Sequence, residues 1–215
     1  MDACGCDEFA LEFGRRTAEG DRDRYRRSGP DRTTVMLLDM LRPYVGTGST
    51  LLDVGGGIGI IDQELLRAGV GHAVLVDASR AYLDVARTEA RSTGVLDRLE
   101  IVEGDFVRRA PEIDSADIVT LDRVVCCYGD VRALVGGTAA RARRVYGLVL
   151  PRDRWLLRVA ARILNATYRL RRKAYRAYAH PNALVDALAA DAGLRPVQEA
   201  RTFVWRVVVY DFRAG

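Results

Sequence analysis

Several features are scarce or absent in this sequence, and each absence narrows what the chain can be. No apolar run approaches the roughly 18 residues needed to cross a bilayer. The start, Met1-Asp2-Ala3-Cys4, has neither the basic nor the apolar region of a secretory signal. The expected location is therefore cytoplasmic, without a transmembrane segment. Only four cysteines occur, as Cys4-Gly5-Cys6 and Cys126-Cys127, and these spacings do not form a disulfide framework. There is no internal repeat, low-complexity tract or Pro/Ser-rich linker, so nothing delimits a second domain. What remains is 215 residues, 49% hydrophobic and 29% charged, close to the average for a globular chain that buries its own core.

The net charge of +4 is modest but unevenly spread. Between Pro151 and His180 nine basic residues face the single acid Asp153, so this stretch carries +8 and the rest of the chain −4. Such a segment either meets an anionic partner (an acidic small molecule, a phosphate backbone or a membrane surface) or forms a solvated arginine-rich helix face.

Periodicity predicts strands alternating with helices. Thr33 to Tyr44 reads as an amphipathic helix, Thr50 to Val54 as a strand, and Ile58 to Ala68 as a helix. The alternation continues with a strand at His72 to Val76, a helix at Arg80 to Ser92, and strands at Leu99 to Glu103 and Ile118 to Leu121. A helix is then expected at Val131 to Arg143, a strand at Val145 to Leu150 and a helix at Pro181 to Ala192. This rhythm implies an α/β, doubly wound, mostly parallel sheet covered on both faces. Leu194 to Ala200 and Val204 to Phe212 are two β-rich runs with a short gap, which predicts an antiparallel hairpin at or near the sheet edge.

In such sheets a ligand binds beyond the carboxyl ends of the strands. There the first strand runs into Asp53-Val54-Gly55-Gly56-Gly57-Ile58-Gly59, a turn whose glycines permit tight reversal and close backbone approach to a ligand. A dinucleotide fingerprint beginning at Gly55 would need glycine at position 60, which is Ile60. The spacing Gly55, Gly57, Gly59 with an acid two residues upstream instead resembles motif I of the class I S-adenosylmethionine-dependent methyltransferases. Asp77 ends the second strand, where a carboxylate can bond both hydroxyls of a ribose. Gly104-Asp105-Phe106 follows the third strand, where the resemblance implies contact with adenine. Asp117-Ile118-Val119-Thr120-Leu121-Asp122-Arg123 resembles motif IV, beside the reactive sulfonium.

The resemblance runs from about Thr50 to Phe212 and includes the terminal hairpin, implying a Rossmann-like seven-stranded sheet with S-adenosylmethionine as cofactor. The cofactor-binding residues it implies are Asp53, Gly55, Gly56, Gly57, Asp77, Ala78, Gly104, Asp105, Phe106, Leu121, Asp122 and Arg123. It further implies an N-terminal helical lid over residues 1–48, a cofactor core over 49–150, a basic helical cap over 151–180, and a closing helix and hairpin over 181–215. Singly, Asp77 and Asp105 are equally well read as helix N-caps.

Methyl transfer from a sulfonium mainly requires alignment of nucleophile, methyl and sulfur. Many small-molecule members of the family carry a histidine near the end of the motif IV loop, where this sequence has Cys127. Tyr128 is then the polar group nearest the expected methyl; Tyr25 in the lid and His180 at the end of the cap are the other candidate acceptor-side residues. Each has a plain alternative: a packed aromatic for Tyr128, a solvated basic turn around Tyr25, a helix cap for His180. Arg26, Arg27 and Arg32 can pair with carboxylates. Motif IV and the cap together look most like the magnesium-protoporphyrin O-methyltransferase group, which implies an acceptor that is a hydrophobic acid, with a phenol or amine as other small-molecule choices. An RNA methyltransferase using the arginine-rich insertion, and a non-catalytic cofactor-binding module, are the competing readings. Few aromatics interleave the basic cap for base stacking, which weakens the nucleic-acid case. Cys4 and Cys6 could contribute to a thiolate site, or be exposed thiols without a role; no metal is assigned. The expected oligomeric state is monomer or homodimer.

Overall fold

The computed structural model describes residues 14–171 and 175–212. Cys4 and Cys6 lie outside the described residues. Among the described residues two α-helices precede the first strand: α1 (Arg15–Ser28) and α2 (Arg32–Leu41). The sheet and its crossovers follow as β1 (Thr50–Val54), α3 (Ile60–Ala68), β2 (His72–Asp77), α4 (Arg80–Ser92), β3 (Leu99–Glu103), the short α5 (Phe106–Arg109), β4 (Ala116–Asp122), α6 (Val131–Ala139) and β5 (Ala142–Pro151). The chain closes with α7 (Trp155–Leu170), α8 (Asn182–Asp191), β6 (Arg195–Arg201) and β7 (Trp205–Asp211).

The strand order is β3-β2-β1-β4-β5-β7-β6. β1 to β5 pair in parallel, and β7 runs antiparallel between β5 and β6. Each crossover returns the chain to the same end of the sheet, so the loops after β1, β2, β3 and β4 gather along one edge. Side chains alternate faces along each strand. Leu51, Leu75, Ile118 and Val145 pack with Leu37, Leu41, Leu65 and Leu83 of α2, α3 and α4. Leu52, Val76, Leu121 and Tyr146 pack on the other face with Leu134, Val135, Val185 and Ala189 of α6 and α8. This two-sided burial is why the strands read as continuous apolar runs.

The structure departs from the expected elements at α6, which ends at Ala139 rather than Arg143. Arg141 explains the stop. Its guanidinium donates to the carbonyls of Gly137 at 2.9 Å and Ile113 at 3.1 Å, and also to that of Ala110, drawing the chain out of the helix. Ala142 is then free to pair with Ala116 as the start of β5. The Thr33–Tyr44 helix likewise ends at Leu41 and tightens into a 3-10 turn over Arg42–Tyr44, because Pro43 cannot supply an amide hydrogen to the helical ladder.

Candidate active site

The loops at the carboxyl edge surround a cavity of about 270 Å³. Its floor is the glycine turn after β1. Gly55, Gly57 and Gly59 have φ of +68°, +61° and +73°, a region that side-chain-bearing residues avoid. Gly56 is required for another reason: a Cβ there would lie 2.2 Å from Asp53 Oδ2 and 2.4 Å from a Leu75 methyl.

Beneath the turn two buried acids face each other. Asp53 Oδ1 accepts a hydrogen bond from Thr120 Oγ1 at 2.7 Å. Its Oδ2 and both oxygens of Asp62 have no other protein donor, so the bond between the two carboxyls exists only when one of them carries a proton. Burial drives this in both cases: it pushes Asp53 up to about 7 and holds Asp62 well above the usual carboxylate range, with the neighbouring Asp53 adding to the effect on Asp62. The pair therefore retains a proton near neutrality.

Asp77, at the end of β2, ties this turn to the next. Its Oδ2 accepts from the Gly57 amide at 3.0 Å and its Oδ1 from the Ser79 amide at 2.8 Å. Burial raises its pKa, and the amides of Ser79, Gly57 and Ala78 oppose that rise. Above it the Tyr82 hydroxyl donates to Asp21 Oδ2 of α1 at 2.7 Å, which brings the N-terminal helix to the cavity wall.

After β3, Asp105 caps α5 by accepting from the Val107 amide at 3.1 Å. The Tyr128 hydroxyl lies 3.0 Å from both Asp105 oxygens and donates to this carboxylate. Phe106 is buried beside them with the Arg141 guanidinium 5.3 Å from its ring centre.

After β4 the chain enters Arg123 with φ +63°, the one non-glycine residue with positive φ among the described residues. Such a conformation costs about 1–3 kcal/mol and is held by its surroundings. Here the guanidinium donates to Asp31 Oδ2 at 2.7 Å and to Asp122 Oδ1 at 3.0 Å, while Asp122 Oδ2 accepts from Thr34 Oγ1 at 2.5 Å. The motif IV loop is thus clamped to the start of α2. Next comes a thiol cluster: Cys127 Sγ lies 3.7 Å from Cys126 Sγ and 3.0 Å from the Tyr175 hydroxyl. Hydrogen bonds from Cys126 pull the Cys127 pKa down, against the effect of burial.

The cavity wall brings together Gly55, Gly57, Asp77, Ala78, Gly104, Asp105, Phe106, Asp122, Arg123 and Tyr128 of the residues expected from sequence. It does not include the others. Asp53 and Gly56 lie under the turn, and Leu121 is fully buried among the apolar side chains of the β4 face toward α6. Tyr25 points its hydroxyl at Glu64 Oε1, 2.6 Å away, and accepts from Arg67 at 3.2 Å. His180 Nε2 donates to the Tyr128 carbonyl at 2.8 Å, and its ring stacks on Tyr178. The wall also contains Asp21, Tyr82, Cys127 and Leu134. Leu134 lies within the helix expected from Val131, and no local pattern distinguishes Asp21 or Tyr82 from surface residues of α1 and α4. Among the described residues no cluster of three or more His, Cys, Asp or Glu side chains is arranged to hold a metal, and no helix is long and apolar enough to cross a membrane.

Residues 51–145 match the family described as "Methyltransferase domain". With the sheet order and the four loops of the cavity, this region is a class I S-adenosylmethionine-dependent methyltransferase domain, and S-adenosylmethionine is the cofactor of that family. Particular relatives differ in what they act on. A ribosomal protein L11 methyltransferase of Pelotomaculum thermopropionicum is 29% identical over 67% of this chain and 45% of its own length. A ubiquinone/menaquinone biosynthesis C-methyltransferase of Roseobacter denitrificans is 35% identical over 40% of this chain and 34% of its own. The chain thus spans less than half the length of either relative. In fold it is similar to the magnesium protoporphyrin IX methyltransferase of Synechocystis, solved with S-adenosylhomocysteine, at a TM-score of 0.69 and 20% identity, covering 89% of this chain and 94% of that one.

Proposed function

We propose that this chain transfers a methyl group from S-adenosylmethionine to a small acceptor bearing a carboxylate on an apolar body. The observation that carries the first part is Asp77: a carboxylate at the end of β2, on the cavity wall and braced by the amides of Gly57 and Ser79. Two ionised oxygens offer about four acceptor sites, so it can still receive both hydroxyls of a ribose. Asp105 and Phe106 would meet the adenine, and the bare backbone of Gly55 and Gly57 would lie along the amino-acid portion. Asp53 and Gly56 act through the turn they support, and Asp122 and Arg123 by fixing the loop beside the reacting methyl. The bound cofactor supplies an electrophilic methyl on a sulfonium. The chain's own task is to align an acceptor with it and to exclude water.

The choice of acceptor rests on the candidate bases. Tyr128 donates its hydroxyl proton to Asp105, His180 donates from Nε2 to a carbonyl, and Tyr25 is turned toward Glu64. Each of the three is engaged by a group of the protein itself, which supports an acceptor that needs no base. A carboxylate is already ionised at neutral pH and needs no base. On this reading α1 and α2 belong to a lid, and α7 with the arm from Tyr175 to His180 belongs to the cap that selects the acceptor.

Calorimetry with S-adenosylhomocysteine, followed by a screen for methyl esters on a panel of apolar carboxylic acids, tests both parts. Asp77→Asn should weaken binding about 10- to 100-fold, the value of one charge-assisted hydrogen-bond set of about 1.5–3 kcal/mol. Absence of binding by the native chain overturns the whole reading. Binding with transfer only to RNA, protein, phenol or amine overturns the acceptor. Binding without transfer to any class would leave a non-catalytic cofactor module.

A further inference from the structure

Helix α7 has no buried side chain. Its half-buried positions Leu157, Ala161, Asn165 and Tyr168 face inward, and Asn165 holds the helix to the following arm through paired bonds of 2.8 Å with the Ala177 backbone. The outward face is apolar. Trp155, Val159, Ile163 and Leu170 recur at helical spacing with Leu156 beside them, and Trp155, Ile163 and Leu170 are 67%, 61% and 86% exposed. The hairpin tip extends this strip: Phe203 is 66% exposed, with the Arg154 guanidinium 4.7 Å from its ring centre, next to Trp155. An exposed strip of this length is too costly to leave in water without a partner.

The charges beside it select the partner. Arg158, Arg162 and Arg169 form one edge of the apolar face. Arg158 pairs with Asp153 at 3.2 Å, whereas Arg162, Arg169 and Arg171 have no acidic partner among the described residues. From Arg154 to Val185 the sequence has eight cationic side chains and no acid. A second copy docked through the same face would set Arg162, Arg169 and Arg171 near the same cations of its partner. A phosphate backbone would satisfy the arginines and leave the apolar strip in water. An anionic bilayer satisfies both, with the apolar face sunk to the acyl boundary and the arginines at the headgroups.

We propose that α7, with Phe203, is a docking surface for anionic lipid bilayers. The helix lies in the plane of the interface rather than across it, and Trp155 serves as an interfacial anchor. The arm after it is bonded to the motif IV loop, through the Tyr178 amide to the Cys126 carbonyl at 2.8 Å and through Tyr175 to Cys127. Docking therefore holds the cleft near the membrane surface. The inference does not depend on which acceptor the cleft takes.

Flotation of the full chain with phosphatidylcholine vesicles, with and without roughly one-third phosphatidylglycerol at about 0.1 M salt, tests it. Binding to the anionic vesicles only, release on raising the salt, and a blue shift of Trp155 emission in a Trp205→Phe background are expected. Ile163→Ser with Leu170→Ser should reduce bound protein at least tenfold. Arg162→Gln with Arg169→Gln and Arg171→Gln should reduce it about as much. Circular dichroism melting checks that each variant remains folded, as exposed substitutions should. No flotation of the native chain, or equal flotation with neutral vesicles, overturns the proposal. So does a concentration-dependent dimer in sedimentation that the Ile163→Ser, Leu170→Ser chain loses, since the face would then belong to a second copy.

Discussion

Helices α1 and α7 behave in the opposite sense to their sequences. α1 is one of the most polar helices of the chain, RRTAEGDRDRYRRS, yet it is docked: Ala18 and Tyr25 are buried against Ile58, Tyr82 and Val85. Its polar groups are paired across to the core, Arg26 with Glu89 at 2.6 Å, Tyr25 with Glu64 at 2.6 Å and Asp21 with Tyr82 at 2.7 Å. α7 has the stronger apolar stripe and buries none of it. The difference lies in what each helix meets. α1 crosses α4, which offers Tyr82, Val85 and Glu89 as partners, whereas only the inner edge of α7 touches the protein. A stripe predicts that something will cover it, without saying whether that is the same chain.

Substitutions can break or sharpen this comparison. The largest effect is expected at the floor of the cavity that α1 overhangs. Gly56→Ala places a methyl against Asp53 and Leu75 and should lower stability by about 2–3 kcal/mol, read as a urea midpoint, with S-adenosylhomocysteine binding weakened more than tenfold by calorimetry.

Asp62→Asn should act in the opposite direction. Asp53 ionises near pH 4 in the unfolded chain and at about 7 in the folded one. Between those values folded Asp53 holds a proton that the unfolded state has lost, and Asp62 holds another, so stability falls as pH rises, by up to about 1.4 kcal/mol per pH unit for each group. An asparagine amide can donate to Asp53 without that proton. The variant should therefore show a flatter pH profile between 4 and 7 and be the more stable chain, by about 1–2 kcal/mol, at pH 7. An unchanged slope would mean that the pair is not the source.

A smaller loss is expected where α1 is held. Tyr25→Phe removes the hydroxyl shared by Glu64 and Arg67 and should cost about 1 kcal/mol in thermal unfolding. At the far end of the range, Ile163→Ser on α7 should change stability by less than about 0.5 kcal/mol. A loss like that of a buried isoleucine would show that α7 packs on the chain itself and would remove the contrast.

Much of the site was legible because strand ends are local features. The turns after β1, β2, β3 and β4 lie within a few positions of strands that periodicity locates, so with the resemblance to the methyltransferase motifs Gly55, Gly57, Asp77, Asp105 and Arg123 could be named as candidates without coordinates, and all five line the cavity. The residues that reach the cavity from elsewhere could not. Asp21 arrives there because Tyr82 binds it from α4. Tyr25 and His180 lie in the expected segments but turn to Glu64 and to the Tyr128 carbonyl, choices made by partners 39 and 52 residues distant.

Strand and helix periods, the glycine-only conformations after β1 and the acid at each strand end are written in neighbouring residues, so the sequence alone determined a doubly wound sheet and the edge at which its cavity lies. Which hydroxyls and carboxyls are used up inside the protein, which acids share a proton and which apolar face is left uncovered depend on pairs far apart in the chain. Only the folded arrangement decided those, because a hydrogen bond or a buried charge is defined by the group opposite it, and sequence distance carries no record of that neighbour.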